Sequence, residues 1–245
     1  MSTYPNILPS KVFNTFLSLK TNKSVPPGDI PPKLIKQFAS ELSGPFSQIL
    51  NCAIKSGQWP NLYKQESVTP VPKVFPPREI NDLRNISGLL TFDKVAEKII
   101  SELIISDMSS SIDPSQYSNQ KGISLQHYLI KMINQILEDT DKNSKGEINA
   151  VIATLIDRND AFPHQCPKLG IEAFINCGVR PALIPLLISY FQDRTMTVKW
   201  HGTTSTKRNL NGGGPQGATF GVWEYLAQSN DNANCVEEDY RYKFV

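Results

Sequence analysis

A continuous apolar run from Asn149 to Ile156 constrains the fold of this chain more than any other segment. Its β-branched and aliphatic residues are typical of a strand that is buried on both faces. A strand of this kind must lie inside a sheet that is covered by other elements. We therefore predict that the run forms a central strand and that Asp157 marks its end.

Helical patterns occur on both sides of this run. Apolar residues at helical spacing predict helices over the ranges 11–19, 33–56, 93–108, 124–137, 166–178, 182–194 and about 218–230. In the second of these, Gly44-Pro45 predicts a break and Gly57 a C-terminal stop. Asp93 is predicted to N-cap the third.

Short strand-like segments complete the pattern. They are predicted over the ranges 67–73, 83–90, 195–200 and 205–210, with the start of another in 240–245. The prolines of the first suit an edge strand or an irregular one. Because strands and helices mix without strict βαβ alternation, the sequence favours the α+β class.

Composition excludes several classes of protein. The formal net charge is only +2, so any nucleic-acid partner would have to be held by a local basic patch. The four cysteines and three histidines are scattered, which fits neither a zinc site nor a disulfide framework. No stretch is long and apolar enough to span a bilayer, and we expect an intracellular protein of the nucleus or cytoplasm without a membrane partner.

Asp157 is the first candidate for chemistry. A carboxylate at a strand end is held rigidly and can bind the divalent metal of a phosphoryl or nucleotidyl transfer enzyme. Asp160 follows three residues later. On this pattern alone, an aspartate that opens a turn is the more frequent reading.

The glycine-rich loop from Gly212 to Gly217 is the second candidate. Its backbone N–H groups are unobstructed and precede a predicted helix, an arrangement that can hold phosphate or let a nucleic-acid strand approach. It is not a P-loop, since no Gly-Lys-Ser/Thr ending is present. Gln216 is its one long polar side chain, and a simple hairpin turn remains the alternative.

Basic and aromatic residues near element ends are weaker candidates. Lys73 and Arg84 can meet phosphates, although solvated surface charges are the more common case. Trp59 and Trp200 can stack on bases, but a lone tryptophan more often packs in a core.

The order of these short motifs resembles the reverse transcriptase domain of LINE-like, non-LTR retrotransposons over roughly residues 26–245. The motifs, in chain order, are 28–31 (GDIP), 57–60 (GQWP), 68–73 (VTPVPK), 83–87 (LRNIS), 92–98 (FDKVAEK), 116–124 (QYSNQKGIS), 155–162 (LIDRNDAF), 189–194 (SYFQDR) and 212–217 (GGGPQG). The resemblance implies the fingers and palm of a right-hand polymerase: a lead helix in residues 1–25, a fingers-like region in 26–148 and a partial palm in 149–245. The palm would be an antiparallel sheet backed by helices, and the thumb would be absent.

The same resemblance implies roles for individual residues. Asp157 would bind Mg²⁺ or Mn²⁺ as the catalytic aspartate, and Asp160 matches a variable position. Ala161 and Phe162 would lie beneath the incoming deoxynucleotide, with Phe162 blocking a ribose 2′-hydroxyl. The remaining nucleotide-binding residues would be Lys73 and Arg84 on the triphosphate, and Gln216 and Gly217 against template and nucleotide.

The implied partners are a primed RNA or DNA template and deoxynucleoside triphosphates, with the oligomeric state left open. Asn85 and Pro163 depart from the residues usual in the family, and the segment 240–245 resembles the lead-in to an aromatic-x-Asp-Asp motif whose aspartates the sequence does not contain. We therefore expect a polymerase fragment that is inactive by itself. The alternatives are a decayed, non-catalytic nucleic-acid-binding remnant and an unrelated α+β domain. Residues encoded after Val245 would separate the polymerase fragment from the decayed remnant.

Overall fold

Eight α-helices and one small sheet form the described part of the computed structural model, which describes residues 4–22, 25–26, 28–120, 122–141, 150–156, 164–210, 212–232, 235–237 and 240–243. The helices are α1 (Pro9–Leu17), α2 (Pro32–Gln37), α3 (Ala39–Ser56), α4 (Thr91–Met108), α5 (Leu125–Asp141), α6 (Pro167–Asn176), α7 (Ile184–Phe191) and α8 (Thr219–Ser229). The strands are β1 (Gln65–Pro72), β2 (Leu83–Gly88), β3 (Thr195–Trp200), β4 (Thr203–Thr204) and β5 (Arg208–Asn209). This mixture agrees with the α+β class.

The sheet has the strand order β2-β1-β3-β4, and β5 also pairs with β3. β1 runs antiparallel to β2 but parallel to β3. The antiparallel sheet is predicted for residues 149–245, and there β3 pairs antiparallel with β4 and β5, whereas β1 joins this sheet from the predicted fingers-like region. Parallel neighbours need a long crossover connection. The chain between β1 and β3 supplies it, because it contains β2 and four helices of the described structure.

The two prolines of β1 lie where the strand has only one neighbour. β3 pairs with β1 over Gln65–Val68, whereas Pro70 and Pro72 lie beyond that pairing and face β2. A proline lacks the N–H needed by a second neighbour. This half of β1 is therefore an edge strand, as predicted. Together with the facing residues of β2 it forms a two-stranded ribbon that extends from the sheet.

The apolar run that opened the sequence analysis is not a strand in its described part. Residues 150–156 have no regular structure, and Ile152, Leu155 and Ile156 are each more than four-fifths exposed. The prediction of a buried strand is wrong here because a strand needs a neighbour for its backbone groups, and none of the described strands pairs with this segment. Asp157 and the residues up to 163 lie outside the described residues.

The predicted helix over residues 33–56 is interrupted at Phe38 rather than at Gly44-Pro45. Pro45 lies inside α3. The residue before a proline is normally driven from helical geometry by a clash that involves its own Cβ. Gly44 has no Cβ, which relieves this clash and lets packing of the buried Phe46 and Leu50 decide the conformation.

Asp93 does not cap α4, contrary to the prediction. The helix starts two residues earlier at Thr91, whose backbone N–H and hydroxyl both donate to Asp29 at 2.8 and 2.7 Å. Asp93 is instead fully buried in the first turn. The buried core joins α1, α3, α4, α7 and α8, and no described helix is both long and apolar enough to cross a bilayer.

Two glycines with positive φ test the packing at the end of α3. Gly57 ends the helix with φ of +65°, and a Cβ there would come within 2.6 Å of the Pro185 side chain. Gly202 has φ of +80°, and a Cβ there would meet nothing within 4 Å. We expect Gly57→Ala to lower the free energy of unfolding by about 2 kcal/mol and Gly202→Ala to lower it by about 1 kcal/mol, since only the backbone strain is shared. Urea denaturation measures both, and equal effects would contradict the contact between Gly57 and Pro185.

Candidate functional site

The ribbon of β1 and β2 carries both basic residues singled out in the sequence. Val71 lies opposite Arg84, and the Lys73 backbone N–H donates to the Asp82 carbonyl at 2.6 Å, which continues the pairing. Strand alternation then puts the Lys73 and Arg84 side chains on one face at diagonal positions. Both residues are exposed, so this face presents two cations to solvent.

Asp82 fixes the end of the ribbon beside Lys73. Its carboxylate accepts hydrogen bonds from the backbone N–H groups of Arg78 (2.7 Å) and Glu79 (3.0 Å). These two bonds, with a smaller contribution from the Lys73 charge, hold the pKa of Asp82 below its usual value. The turn is therefore an ordered one, although Asp82 also neutralises part of the Lys73 charge.

The glycine-rich loop lies along the outer edge of β2, next to the half of the strand whose partner β1 also pairs with β3. The Ser87 backbone N–H on β2 donates to the Gln216 carbonyl at 3.2 Å. A turn closes around this point, with the Ala218 N–H donating to the Pro215 carbonyl at 3.0 Å and Gly217 at φ of +98°. The structure thus places Lys73 and Arg84 on the ribbon, and Gln216 and Gly217 beside the same strand β2, three residues further along it than Arg84.

Gln165 and Glu224 back the first half of the loop. Gly213 donates to the Gln165 carbonyl at 2.9 Å, and a Cβ at Gly214 would come within 3.0 Å of the Gln165 side-chain oxygen. Gly214 therefore permits a close approach that another residue would obstruct. The buried Glu224 carboxyl lies behind it, and burial raises its pKa to about 7 despite a hydrogen bond from Gln228 at 3.1 Å.

A buried charged cluster lies beneath the end of the loop. Asp93 and Glu97, one turn apart on α4, are both fully buried, as is Arg194 at the start of β3. Burial is the main reason why the pKa values of both carboxyls are raised. For Asp93 the Glu97 charge raises it further, and the positive charge of Arg194 opposes the shift in both.

Aromatic side chains enclose these charges. The Trp59 indole donates to Asp93 at 3.1 Å, and the Tyr190 hydroxyl donates to Glu97 at 2.6 Å. The Arg194 guanidinium lies 4.5 Å from the centroid of the Tyr190 ring. Phe220 packs edge-on against both Trp59 and Tyr190, with ring centroids 5.4 and 4.7 Å apart. Trp59 is thus a core residue, whereas Trp200 is 42% exposed.

The predicted metal site cannot be built from the described residues. Asp157, Ala161 and Phe162 all lie outside them, and their predicted roles stay predictions. Within the described ranges, no group of three or more histidine, cysteine, aspartate or glutamate residues is arranged to hold a metal ion. The described residues therefore contain no such group of side chains that could bind Mg²⁺ or Mn²⁺.

Sequence reasoning missed the buried cluster, although a signal was present. Asp93 and Glu97 fall in line with Ile100, Ile104 and Met108 at helical spacing, so the apolar stripe of α4 contains two acids. An acid in such a stripe is either a boundary residue or a buried charge with partners. The second case applies here.

Comparison with known proteins relates this chain to a transposon polymerase. The chain is 27% identical over 187 residues to a probable RNA-directed DNA polymerase from the transposon X-element of Drosophila melanogaster. The match covers 75% of this chain and 20% of that protein, so the chain spans about a fifth of its relative. No protein-family model matches the chain. The chain is thus similar to a transposon reverse transcriptase, in agreement with the family that its motifs resemble.

The raised pKa of Glu224 predicts a pH dependence of stability. The folded chain binds a proton with a pKa of about 7, whereas the ordinary value of 4.5 applies once the chain unfolds. The tighter proton binding by Glu224 in the folded chain adds to the free energy of unfolding. This stabilisation is fully present below pH 4.5 and is lost as the pH rises to about 7. Glu224→Gln removes it, so the difference in unfolding free energy between variant and parent should shift by up to about 3 kcal/mol from pH 4.5 to 8, in favour of the variant.

Urea titrations at four pH values measure this difference. Glu172→Gln is the matched control, because Glu172 is exposed on the neighbouring α6. A difference that is flat with pH for Glu224→Gln would contradict the assigned burial.

Proposed function

We propose that this chain is the fingers and part of the palm of a non-LTR retrotransposon reverse transcriptase, an RNA-directed DNA polymerase. Its partners would be a primed RNA or DNA template and deoxynucleoside triphosphates, inside the cell in the nucleus or cytoplasm. The observation that carries the proposal is the hydrogen bond between Ser87 and Gln216, which joins the glycine-rich loop to the strand that bears Arg84.

The similarity to the X-element polymerase supports the class of enzyme. The ribbon supports the mode of binding, because template-directed synthesis requires the incoming triphosphate and the template base to be held side by side. Lys73 and Arg84 are suited to phosphate oxygens, and Arg84 can bind two of them through its planar fork. The loop at the strand edge, with its glycines, lets a nucleic-acid strand approach the backbone closely.

Asp157, Ala161 and Phe162 complete the proposal from the sequence. Asp157 would bind Mg²⁺ or Mn²⁺, which when present neutralises phosphate charge. Ala161 and Phe162 would form the floor under the sugar, with Phe162 excluding a 2′-hydroxyl. The contribution of Lys73, Arg84 and the loop is to position the reactants and to stabilise negative charge.

Loss of the two cations should weaken nucleic-acid binding in a characteristic way. The two exposed cations would attract the phosphates of a nearby primer–template as well as the incoming triphosphate, so for the double variant Lys73→Ala/Arg84→Ala we expect the affinity for a primer–template duplex to fall about tenfold or more at low salt. We also expect the slope of log affinity against log salt to become about 1–2 units less steep, because each phosphate contact releases counterions. Fluorescence anisotropy across a salt series measures both quantities.

A charge-matched control is provided by Lys20→Ala/Lys33→Ala. Both lysines are exposed and lie outside the ribbon, Lys33 on α2. This variant should keep the parental slope. Equal losses in the two double variants would show that binding is unspecific, and no binding by the parent chain would refute the proposal.

Primer extension by the 245-residue chain alone should be undetectable with Mg²⁺ or Mn²⁺. The two-metal reaction needs carboxylates from more than one motif. The sequence offers Asp157 for one of them but contains no adjacent pair of aspartates. Extension by purified protein that Asp157→Asn abolishes would show that another carboxylate completes the site.

A further inference from the structure

We propose that Glu97 is the positioning residue of the glycine-rich loop: its buried carboxylate caps α8 and thereby fixes the loop against β2. The structural part of this inference concerns the loop itself. Its consequence for nucleic-acid binding rests on the proposed function, and the experiment below separates the two.

Helix α8 starts without a cap of its own. The N-cap residue is Ala218, which has no side-chain acceptor for the free N–H groups of the first turn. Glu97 takes this role from α4, accepting a hydrogen bond from the Thr219 N–H at 2.6 Å and another from the Phe220 N–H. A negative charge at this point also interacts favourably with the positive end of the helix dipole.

The other side of Glu97 is held by the core. Its second oxygen accepts the Tyr190 hydroxyl at 2.6 Å, and Tyr190 is fully buried on α7. The chain from Gln216 to Thr219 is therefore attached at both ends, to Ser87 on β2 and to Glu97 on α4. Only Gly217 and Ala218 lie between the two attachments, so movement at Thr219 must displace Gln216.

Positioning and global stability respond differently to loss of the charge. Glu97→Gln keeps the size and one acceptor oxygen of the side chain, but a neutral acceptor forms a weaker hydrogen bond than a carboxylate. The same change removes the repulsion between Glu97 and Asp93, which both lie near the single Arg194 guanidinium. The cap should weaken while the fold as a whole is not destabilised.

Hydrogen–deuterium exchange of the 245-residue chain tests this directly. For Glu97→Gln we expect exchange at the amides of residues 217–220 to become about tenfold faster, with the urea midpoint unchanged or higher. Tyr190→Phe is the matched control: it removes the hydroxyl that holds Glu97 but leaves the cap, so these amides should change less. Parental exchange rates at 217–220 in Glu97→Gln, or a uniform increase along the chain, would overturn the proposal.

A local cap should rescue the defect. Ala218 has the extended backbone of an N-cap residue (φ −75°, ψ 144°), so Ala218→Ser places a hydroxyl where it can accept from the first turn. In the double variant Glu97→Gln/Ala218→Ser, exchange at 217–220 should return toward the parental rate. If Glu97→Gln alone does not fold, the double variant is measured instead, and its failure to recover the fold counts against capping as the role of Glu97.

Primer–template binding gives the functional readout. Glu97 makes no phosphate contact, so Glu97→Gln should lower the affinity several-fold with an unchanged salt slope, unlike Lys73→Ala/Arg84→Ala. Faster loop exchange with unchanged affinity would show that the loop does not contact nucleic acid. If the parent chain binds no primer–template, the proposed function fails, and the exchange rates still decide the role of Glu97.

Discussion

A buried charged cluster constrains the fold of this chain: Asp93 and Glu97 both lie near the positive charge of Arg194 and accept hydrogen bonds from Trp59, Tyr190 and the start of α8. Charges are removed from water at a cost of several kcal/mol each, and only close partners offset it. The partners come from α4, α7, β3 and α8 and from Trp59, so these parts of the chain must be correctly placed together. Loss of Arg194 would leave two buried acids without its positive charge, and leaving a buried charge uncompensated typically costs about 3–5 kcal/mol, a large part of the stability of a whole domain.

The cluster joins the helical core to the sheet. Arg194 directly precedes β3, the strand that runs parallel to β1, and its carbonyl accepts the Leu210 N–H at 2.8 Å beyond β5. The guanidinium also donates to the Tyr190 carbonyl at 3.3 Å, so it holds the start of β3 against the end of α7. β3 in turn pairs with the first half of β1, whose second half carries the ribbon with Lys73 and Arg84.

Local signals predicted the local elements well. Apolar stripes predicted the helices, Gly57 ends α3 as predicted and the segment 195–200 is β3, whereas the apolar run of residues 149–156 is not a strand in its described part. Contacts between distant segments could not be predicted from local sequence. No residue near Val68 indicates that β3 pairs parallel with it. Asp93 has the sequence position of a helix cap, but the cap of α4 is Asp29, which is distant in sequence. At the site, the side-chain chemistry of Lys73, Arg84 and Gln216 predicted contacts with phosphate and nucleic acid. The role of Glu97 has no local sequence pattern, because its partner Thr219 lies 122 residues away.

A glycine-rich loop has an inherent difficulty as a binding element. Without side chains it approaches a ligand closely, but it also packs poorly and loses more conformational freedom on folding than any other sequence. Its position must therefore be imposed by its neighbours. Here Gln165, Ser87 and Glu97 hold it at three points by hydrogen bonds to its backbone or to the helix that follows. The charged anchor is the one farthest inside the core, where water is excluded and a hydrogen bond to a carboxylate is strongest.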